Sequence, residues 1–299
     1  MTHKTEEPNG PGYELLDAGV RRRLERFGPL TIDRPAASAD GFRLSPDAWS
    51  MADLRFDPGT GWSRPALPAD SLPADSSPAD PSPTEPWPVV VDGLTMELRP
   101  TDSGGVGLYP EHAANLAWLT AQVVARADVG GPVPPQVLNL FAHTGLATLA
   151  LARAGAAVAH VDGARSAVAW ARRNAELSGL ADRPVRWLVD DAAGFVAREA
   201  RRGRLYDGLV LDPPAFGRAG GREWRLEEDL PDLLAACRAV AAPGAFVLLT
   251  AHSESVDGGV LASALRTGFG SGAAEVVPLD LTATSGARLA LGWSVRRAS

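Results

Sequence analysis

At 299 residues, 45% hydrophobic and 22% charged, the chain can bury a full core and has room for one large domain with something smaller beside it. No apolar run approaches the roughly eighteen residues of a membrane span, and the start "MTHKTEEPNGPG" lacks the apolar centre of a secretory signal, so a cytoplasmic protein with no membrane partner is expected. One Cys excludes an internal disulfide, one Cys with five scattered His gives no metal-ligand spacing, so no metal is expected, and a formal charge of −7 excludes an overall basic, phosphate-seeking surface.

The charge is uneven: residues 1–88 carry 9 basic and 14 acidic side chains, residues 89–299 carry 20 and 22. Basic clusters are local (Arg21 to Arg23, Arg172-Arg173, Arg201-Arg202 with Arg204, Arg218 to Arg225) and read as solvated helix faces and loops. In chain order, "GYELLDAGVRRRLERFGPLTIDRP" mixes short apolar runs with Gly and Pro breaks, which predicts a small strand-rich unit over residues 1–63. Residues 64–88 repeat Pro-Ala-Asp and are dominated by Pro, Ala, Ser and Asp, a composition that predicts a disordered linker. Asp92-Gly93 between two strand-like runs predicts a hairpin, and an Ala-rich stretch from about 112 to 127 predicts a helix.

From residue 136 strand-like runs ("QVLNLF", "AAVAHV", "VRWLV", "YDGLVL", "AFVLLT") alternate with helix-like segments over 144–154, 164–178, 192–202, 226–241 and 255–267. Single-helix crossovers imply a largely parallel α/β sheet covered on both faces. Two further runs, "AEVVPL" and "RLALGWSV", follow without a helix between them and predict an antiparallel hairpin at one edge. Residues 89–299 are thus expected to form a Rossmann-like α/β domain on a seven-stranded sheet.

Ligands of such sheets bind beyond the carboxyl ends of the strands. The first strand is followed by Asn139-Leu-Phe-Ala-His-Thr-Gly145, a small-residue turn opening into a helix whose first N–H groups lack partners. Only Gly145 remains of a dinucleotide glycine pattern. The second strand ends in Asp162-Gly163, where a carboxylate can accept two ribose hydroxyls or cap the next helix. The third ends in Asp190-Asp191-Ala192, suited to the amine and ring nitrogens of adenine or again to capping. The fourth ends in Asp212-Pro-Pro-Ala-Phe216: the prolines stiffen the backbone and donate no hydrogen bond, their carbonyls and Asp212 accept, and Phe216 offers a face for stacking. Acceptors beside an aromatic suit a planar, amine-bearing ring such as a splayed-out nucleobase.

These segments, "VLNLFAHTGLATLALARAGAAVAHVDGARSAVAWARRNAELSGL", "YDGLVLDPPAFGR" and "REWRLEEDLPDLL", together resemble the class I S-adenosylmethionine-dependent methyltransferases of the large-subunit ribosomal RNA methyltransferase family, over about residues 100–250. The upstream "GGVGLYPEHAANLAWL" is similar to the segment that leads into their cofactor fold, and the seven-stranded sheet with its terminal hairpin is their architecture. The resemblance implies that Phe141, His143, Thr144, Gly145, Asp162, Gly163, Asp191 and Ala192 line S-adenosylmethionine. Asp212, Pro213, Pro214 and Phe216 would face the methyl group and a target base, with RNA, ribosomal by analogy, as substrate.

The sequence departs from that pattern at three points. Methylation of cytosine carbon 5 needs a thiolate nucleophile, whereas Cys237 lies in the apolar "LLAACRAV" and reads as a core residue, so transfer to a nitrogen is expected. Ala215 stands where relatives often have Lys, and no separate RNA-binding domain is evident. A small-molecule or protein methyltransferase, a non-catalytic descendant that binds cofactor or RNA, and a nicotinamide dehydrogenase are the alternatives. The stretch from Gly217 to Arg225 reads as a mobile lid touching phosphates.

Overall fold

The computed structural model describes residues 12–65, 85–219, 222–252 and 256–298. They form two compact units: residues 1–110 with 281–290, and residues 111–280 with 291–299. Most of the expected linker, residues 66–84, lies outside the described residues. Its expected end at 88 is too late, because Trp87 is buried and already pairs with Leu98.

In the first unit β1 (Tyr13–Gly19), β2 (Arg22–Phe27), β3 (Leu30–Pro35), β4 (Leu54–Asp57) and β5 (Gly61–Ser63) form a sheet in that order, antiparallel except for β3 beside β4. β6 (Trp87–Val91) and β7 (Leu94–Leu98) form the expected hairpin around Asp92-Gly93, both at positive φ. The hairpin and the 281–290 segment therefore group with the N-terminal strands, a division that differs from the expected boundaries at 63 and 89. Ser285 of that segment donates to the buried carboxylate of Asp17, which also receives the Trp49 Nε1–H at 2.8 Å.

Arg22 and Arg23 are not solvated surface charges. Both lie on β2 with nearly covered side chains, Arg22 paired with Asp33 and Asp57, and Arg23 with Glu25. Glu25 is fully buried and receives a two-pronged bond from Arg34, at 2.5 and 3.1 Å. Burial alone would raise the Glu25 carboxyl; the Arg23 and Arg34 charges outweigh it and hold the group below its ordinary value.

The second unit begins with α1 (Ala113–Gly130) and continues as β8 (Gln136–Leu140), α2 (Leu146–Arg153), β9 (Ala157–Asp162), α3 (Arg165–Leu177), β10 (Val185–Val189), α4 (Ala192–Arg201) and β11 (Tyr206–Leu211). A short hairpin, β12 (Phe216–Ala219) with β13 (Arg222–Arg225), precedes α5 (Leu226–Ala239), β14 (Ala241–Ala251), α6 (Gly258–Phe269), β15 (Glu275–Thr282) and β16 (Arg288–Arg297). The sheet order is β10-β9-β8-β11-β14-β16-β15, with β10 through β14 parallel and β16 antiparallel to β14. The seven-stranded Rossmann-like sheet is as expected. The segment read as a lid forms a hairpin through its described residues; residues 220–221 lie outside them.

Period-two alternation sorts the strands between two cores. Leu209, Leu211, Val247 and Leu249 face α4, α5 and α6, whereas Val137, Val210, Phe246 and Leu248 face α1 and α2. Phe246, fully buried and contributing about 2 to 3 kcal/mol of transfer free energy, lies across Gly208, where a Cβ would come within 2.1 Å of the ring. Order reverses between β8 and β11, and the open ends of those two strands are where an α/β sheet of this kind offers a crevice. No helix among the described residues is long and apolar enough to cross a membrane.

Candidate active site

The loop after β8 turns sharply. Phe141, His143 and Gly145 have φ of 55°, 47° and 93°, so three of five residues are left-handed, two of them at a steric cost that surrounding contacts must offset. Those contacts are specific: Asp162 Oδ2 accepts from the His143 N–H at 2.8 Å, and the Asn174 side-chain amide donates to the Thr144 carbonyl at 2.9 Å. Gly145 packs against α3, where a Cβ would stand 3.0 Å from the Ala171 Cβ.

Asp162 also braces the turn into α3, its Oδ1 accepting from the Ala164 N–H at 2.8 Å across Gly163; Ala164 is itself the N-cap residue of α3, and no side chain caps that helix. Each oxygen keeps a second lone pair. Asp191 caps α4 by accepting from the Gly194 N–H at 2.7 Å, Ala192 opens that helix, and Asp190 pairs with Arg198. Of the two capping roles open to these aspartates in the sequence, the one at Asp191 is present, whereas Asp162 lies two residues before the N-cap of α3 and bonds the turn instead.

Asp212 follows β11 directly, and its N–H points at the Leu140 carbonyl from 3.4 Å, beside the end of β8. Its carboxylate is surrounded. Thr250 Oγ1 donates to Oδ1 at 2.5 Å, His112 Nε2 lies 3.1 Å from Oδ2, and His252 Nε2 lies 3.3 Å from Oδ1. The two imidazoles meet edge to face with their Nε2 atoms 3.1 Å apart. Behind them, His252 Nδ1 is 3.0 Å from the Leu291 carbonyl and 3.5 Å from Glu111 Oε1; Glu111 is buried, and its Oε2 has no hydrogen-bond partner.

This crowding decides the protonation states. Burial would raise Asp212, but the charges and hydrogen bonds of His112 and His252 hold it well below the usual carboxylate range. Burial would lower His252, yet Asp212 and Glu111 push it up to about 9. His143 is held below its ordinary value, chiefly by burial, against the pull of both Asp162 and Asp212. That dual influence puts His143 electrically between the first loop and the Asp212 cluster.

Pro213 is buried, while Pro214 is exposed and its carbonyl accepts from the Trp224 Nε1–H at 2.7 Å. Trp224 in turn meets Phe141, ring centroids 5.3 Å apart, so the β12–β13 hairpin touches the first loop. Phe216 stands 55% exposed at the base of that hairpin. Cys237 is sealed in the apolar core against α6, its thiol pushed up to about 12 by burial, as expected of a core residue and unlike a nucleophile.

Loop 141–145, Asp162 and Asp212 thus come together at the reversal point as read from the strand ends. Four participants were not anticipated: His112, Glu111, His252 and Trp224. His252 carried a usable signal, since Thr250-Ala-His252 ends the fifth strand of the series; His112, at the start of a helix 100 residues before Asp212, carried none.

No protein-family model matches the chain. A protein of Shewanella amazonensis named ribosomal RNA large subunit methyltransferase K/L is 29% identical over 161 residues, 53% of this chain and 21% of its own length. Its namesake from Syntrophotalea carbinolica is 29% identical over 153 residues, 50% of this chain and 20% of its own. The chain thus spans about a fifth of the length of these curated relatives. The crystal structure of a SAM-dependent methyltransferase from Agrobacterium tumefaciens is 33% identical with a TM-score of 0.84, covering 97% of this chain and 91% of that one. A Streptococcus mutans chain described likewise is 13% identical with a TM-score of 0.70, a likeness of fold.

Proposed function

This chain belongs to the S-adenosylmethionine-dependent methyltransferases, and on that premise we propose that it methylates a base nitrogen of RNA, specifically ribosomal RNA, in the cytoplasm. The observation that carries the reading is Asp212, an ionised acceptor at the reversal point, followed by a stiff Pro-Pro and an exposed aromatic ring. The names of the curated relatives support ribosomal RNA as substrate. The buried Cys237 argues for nitrogen over carbon 5 of cytosine.

S-adenosylmethionine supplies an electrophilic methyl on a sulfonium with a neutral leaving group. What remains for the protein is positioning. The left-handed backbone at Phe141, His143 and Gly145, with Thr144, forms the wall for the cofactor's amino-acid end. Asp162, beside Gly163, has lone pairs left for ribose hydroxyls after making its two backbone bonds. Asp191 and Ala192 flank the adenine position. On the acceptor side, Asp212 and the Pro213 carbonyl accept from the target amine, while Pro214, whose carbonyl is taken by Trp224, sets the turn. Phe216 stacks on the base.

Two outcomes follow. Asp162→Ala weakens binding of the cofactor or its demethylated product about 10- to 100-fold, the equivalent of about 1.5 to 3 kcal/mol for lost hydrogen bonds to a charged group; calorimetry measures it, and unchanged affinity removes Asp162 from the site. Phe216→Ala raises KM for RNA about tenfold with kcat nearly unchanged, the loss of one base–aromatic stack; steady-state kinetics separates the two constants. The assignment as a whole is tested by incubating the protein with methyl-labelled cofactor and large-subunit ribosomal RNA, then mapping modified nucleosides by mass spectrometry. Label confined to a metabolite or protein fraction overturns the RNA reading.

A further inference from the structure

Three short contacts join four atoms around Asp212: His112 Nε2 to Oδ2 at 3.1 Å, His252 Nε2 to Oδ1 at 3.3 Å, and the two Nε2 atoms to each other at 3.1 Å. A ring nitrogen carries either one hydrogen or one lone pair, and an ionised carboxylate only accepts. If both Nε2 atoms donate to the ionised Asp212, two N–H groups stand 3.1 Å apart. If one is bare so that it can accept from the other, its lone pair faces a carboxylate oxygen. With Asp212 ionised, each assignment leaves one of the three contacts repulsive.

A cation held by both Nε2 atoms and one Asp212 oxygen removes the conflict, because each of these ligand atoms then presents a lone pair to it, and all lie within 4.8 Å of one another. We infer that His112, His252 and Asp212 bind a divalent transition-metal ion, with zinc as the reference case. Several independent features agree. Four-coordinate zinc with bonds of about 2.0 to 2.1 Å holds its ligand atoms about 3.3 Å apart, the scale of the three observed contacts. Two imidazoles and one carboxylate are a recurrent ligand set that leaves positions open for water or substrate. A metal-bound histidine directs its other nitrogen at a carbonyl or carboxylate, which fixes the tautomer; His252 Nδ1 faces the Leu291 carbonyl and Glu111 Oε1. Thr250 likewise orients the carboxylate of Asp212.

This revises the expectation of no metal, drawn from histidine spacing along the chain, because the ligands come from three segments separated by 100 and 40 positions. It goes beyond the RNA reading and does not depend on it: Asp212 spends one lone pair on the ion and keeps others for an acceptor. An ion there would sit beside the acceptor position and act as a Lewis acid on the group bound at its open position.

The full chain, without a histidine tag, is stripped with chelator, dialysed against zinc chloride and measured by elemental analysis and calorimetry, with no RNA or cofactor present. About one zinc per chain is expected. His112→Ala and His252→Ala each lower its affinity at least about 100-fold, and Glu111→Gln about tenfold by loosening His252. Zinc-edge X-ray absorption of the unmodified protein, which needs no variant to fold, is expected to show two imidazole ligands with oxygen neighbours. Failure to retain stoichiometric zinc, a shell without imidazole, or undiminished affinity in both folded His variants overturns the site. Because no methyl transfer is read, these results are separate from the success or failure of the RNA assay.

Discussion

Asp212→Ala lowers methyl transfer about a thousandfold or more, the scale of losing one polar group aimed at the reacting centre, about 4 kcal/mol, while cofactor affinity stays within about threefold. The separation rests on contacts. The Asp212 carboxylate meets Thr250, His112 and His252, whereas the loop over 141–145 is held by Asp162, Asn174 and the α3 packing of Gly145. Removing the carboxylate therefore leaves the first loop as built. Asp212→Asn, nearly the same size, still accepts from Thr250 but lacks the charge that holds the imidazoles, and should fall between wild type and Ala. Single-turnover transfer with labelled cofactor, alongside calorimetric binding, reads both quantities. Equal turnover in Asp212→Ala, or loss of cofactor binding in step with transfer, would remove Asp212 from the acceptor site.

Arg34→Met destabilises the N-terminal unit by about 3 to 5 kcal/mol, since it strips a fully buried carboxylate of its two-pronged partner. Arg23 remains near Glu25 but meets it through a single 3.3 Å contact, too little to replace the lost bonds. The triple variant Arg23→Met, Glu25→Leu and Arg34→Met should recover most of the loss, because the three mutually paired buried charges are then all removed and none is left unpaired. Urea unfolding followed by circular dichroism gives the shift in the corresponding transition. A change under about 1 kcal/mol in Arg34→Met would show that Glu25 is held by other groups. Whatever the outcome, Arg22, Arg23 and Arg34 have their charge met by Asp33, Asp57 and Glu25, so this unit's arginine run is not a phosphate-binding stripe.

The repeating strands and helices of residues 136–297, and the loops that end the strands, were legible because they rest on local rules. Apolar runs with two-residue alternation, broken by Gly, Asp and Pro, state their own identity, and a parallel sheet brings consecutive strand ends to one edge whatever the sequence between them. Loop 141–145, Asp162 and Asp212 could be named on that basis alone. The hairpin at 216–225 was not legible, since Gly and Arg carry little strand signal; Trp224 secures it by bonding the Pro214 carbonyl and meeting Phe141, contacts that exist only once the chain has folded. The same holds for the arginines of β2, whose partners lie on other strands.

The sharpest division falls at Asp212 itself. Its place at the end of a buried strand, with two prolines after it, follows from neighbours in sequence. That His112 and His252 converge on it, and that Glu111 stands behind them, follows only from packing, for a contact between residues 40 to 141 positions apart depends on where whole elements settle and leaves no periodic trace in the chain.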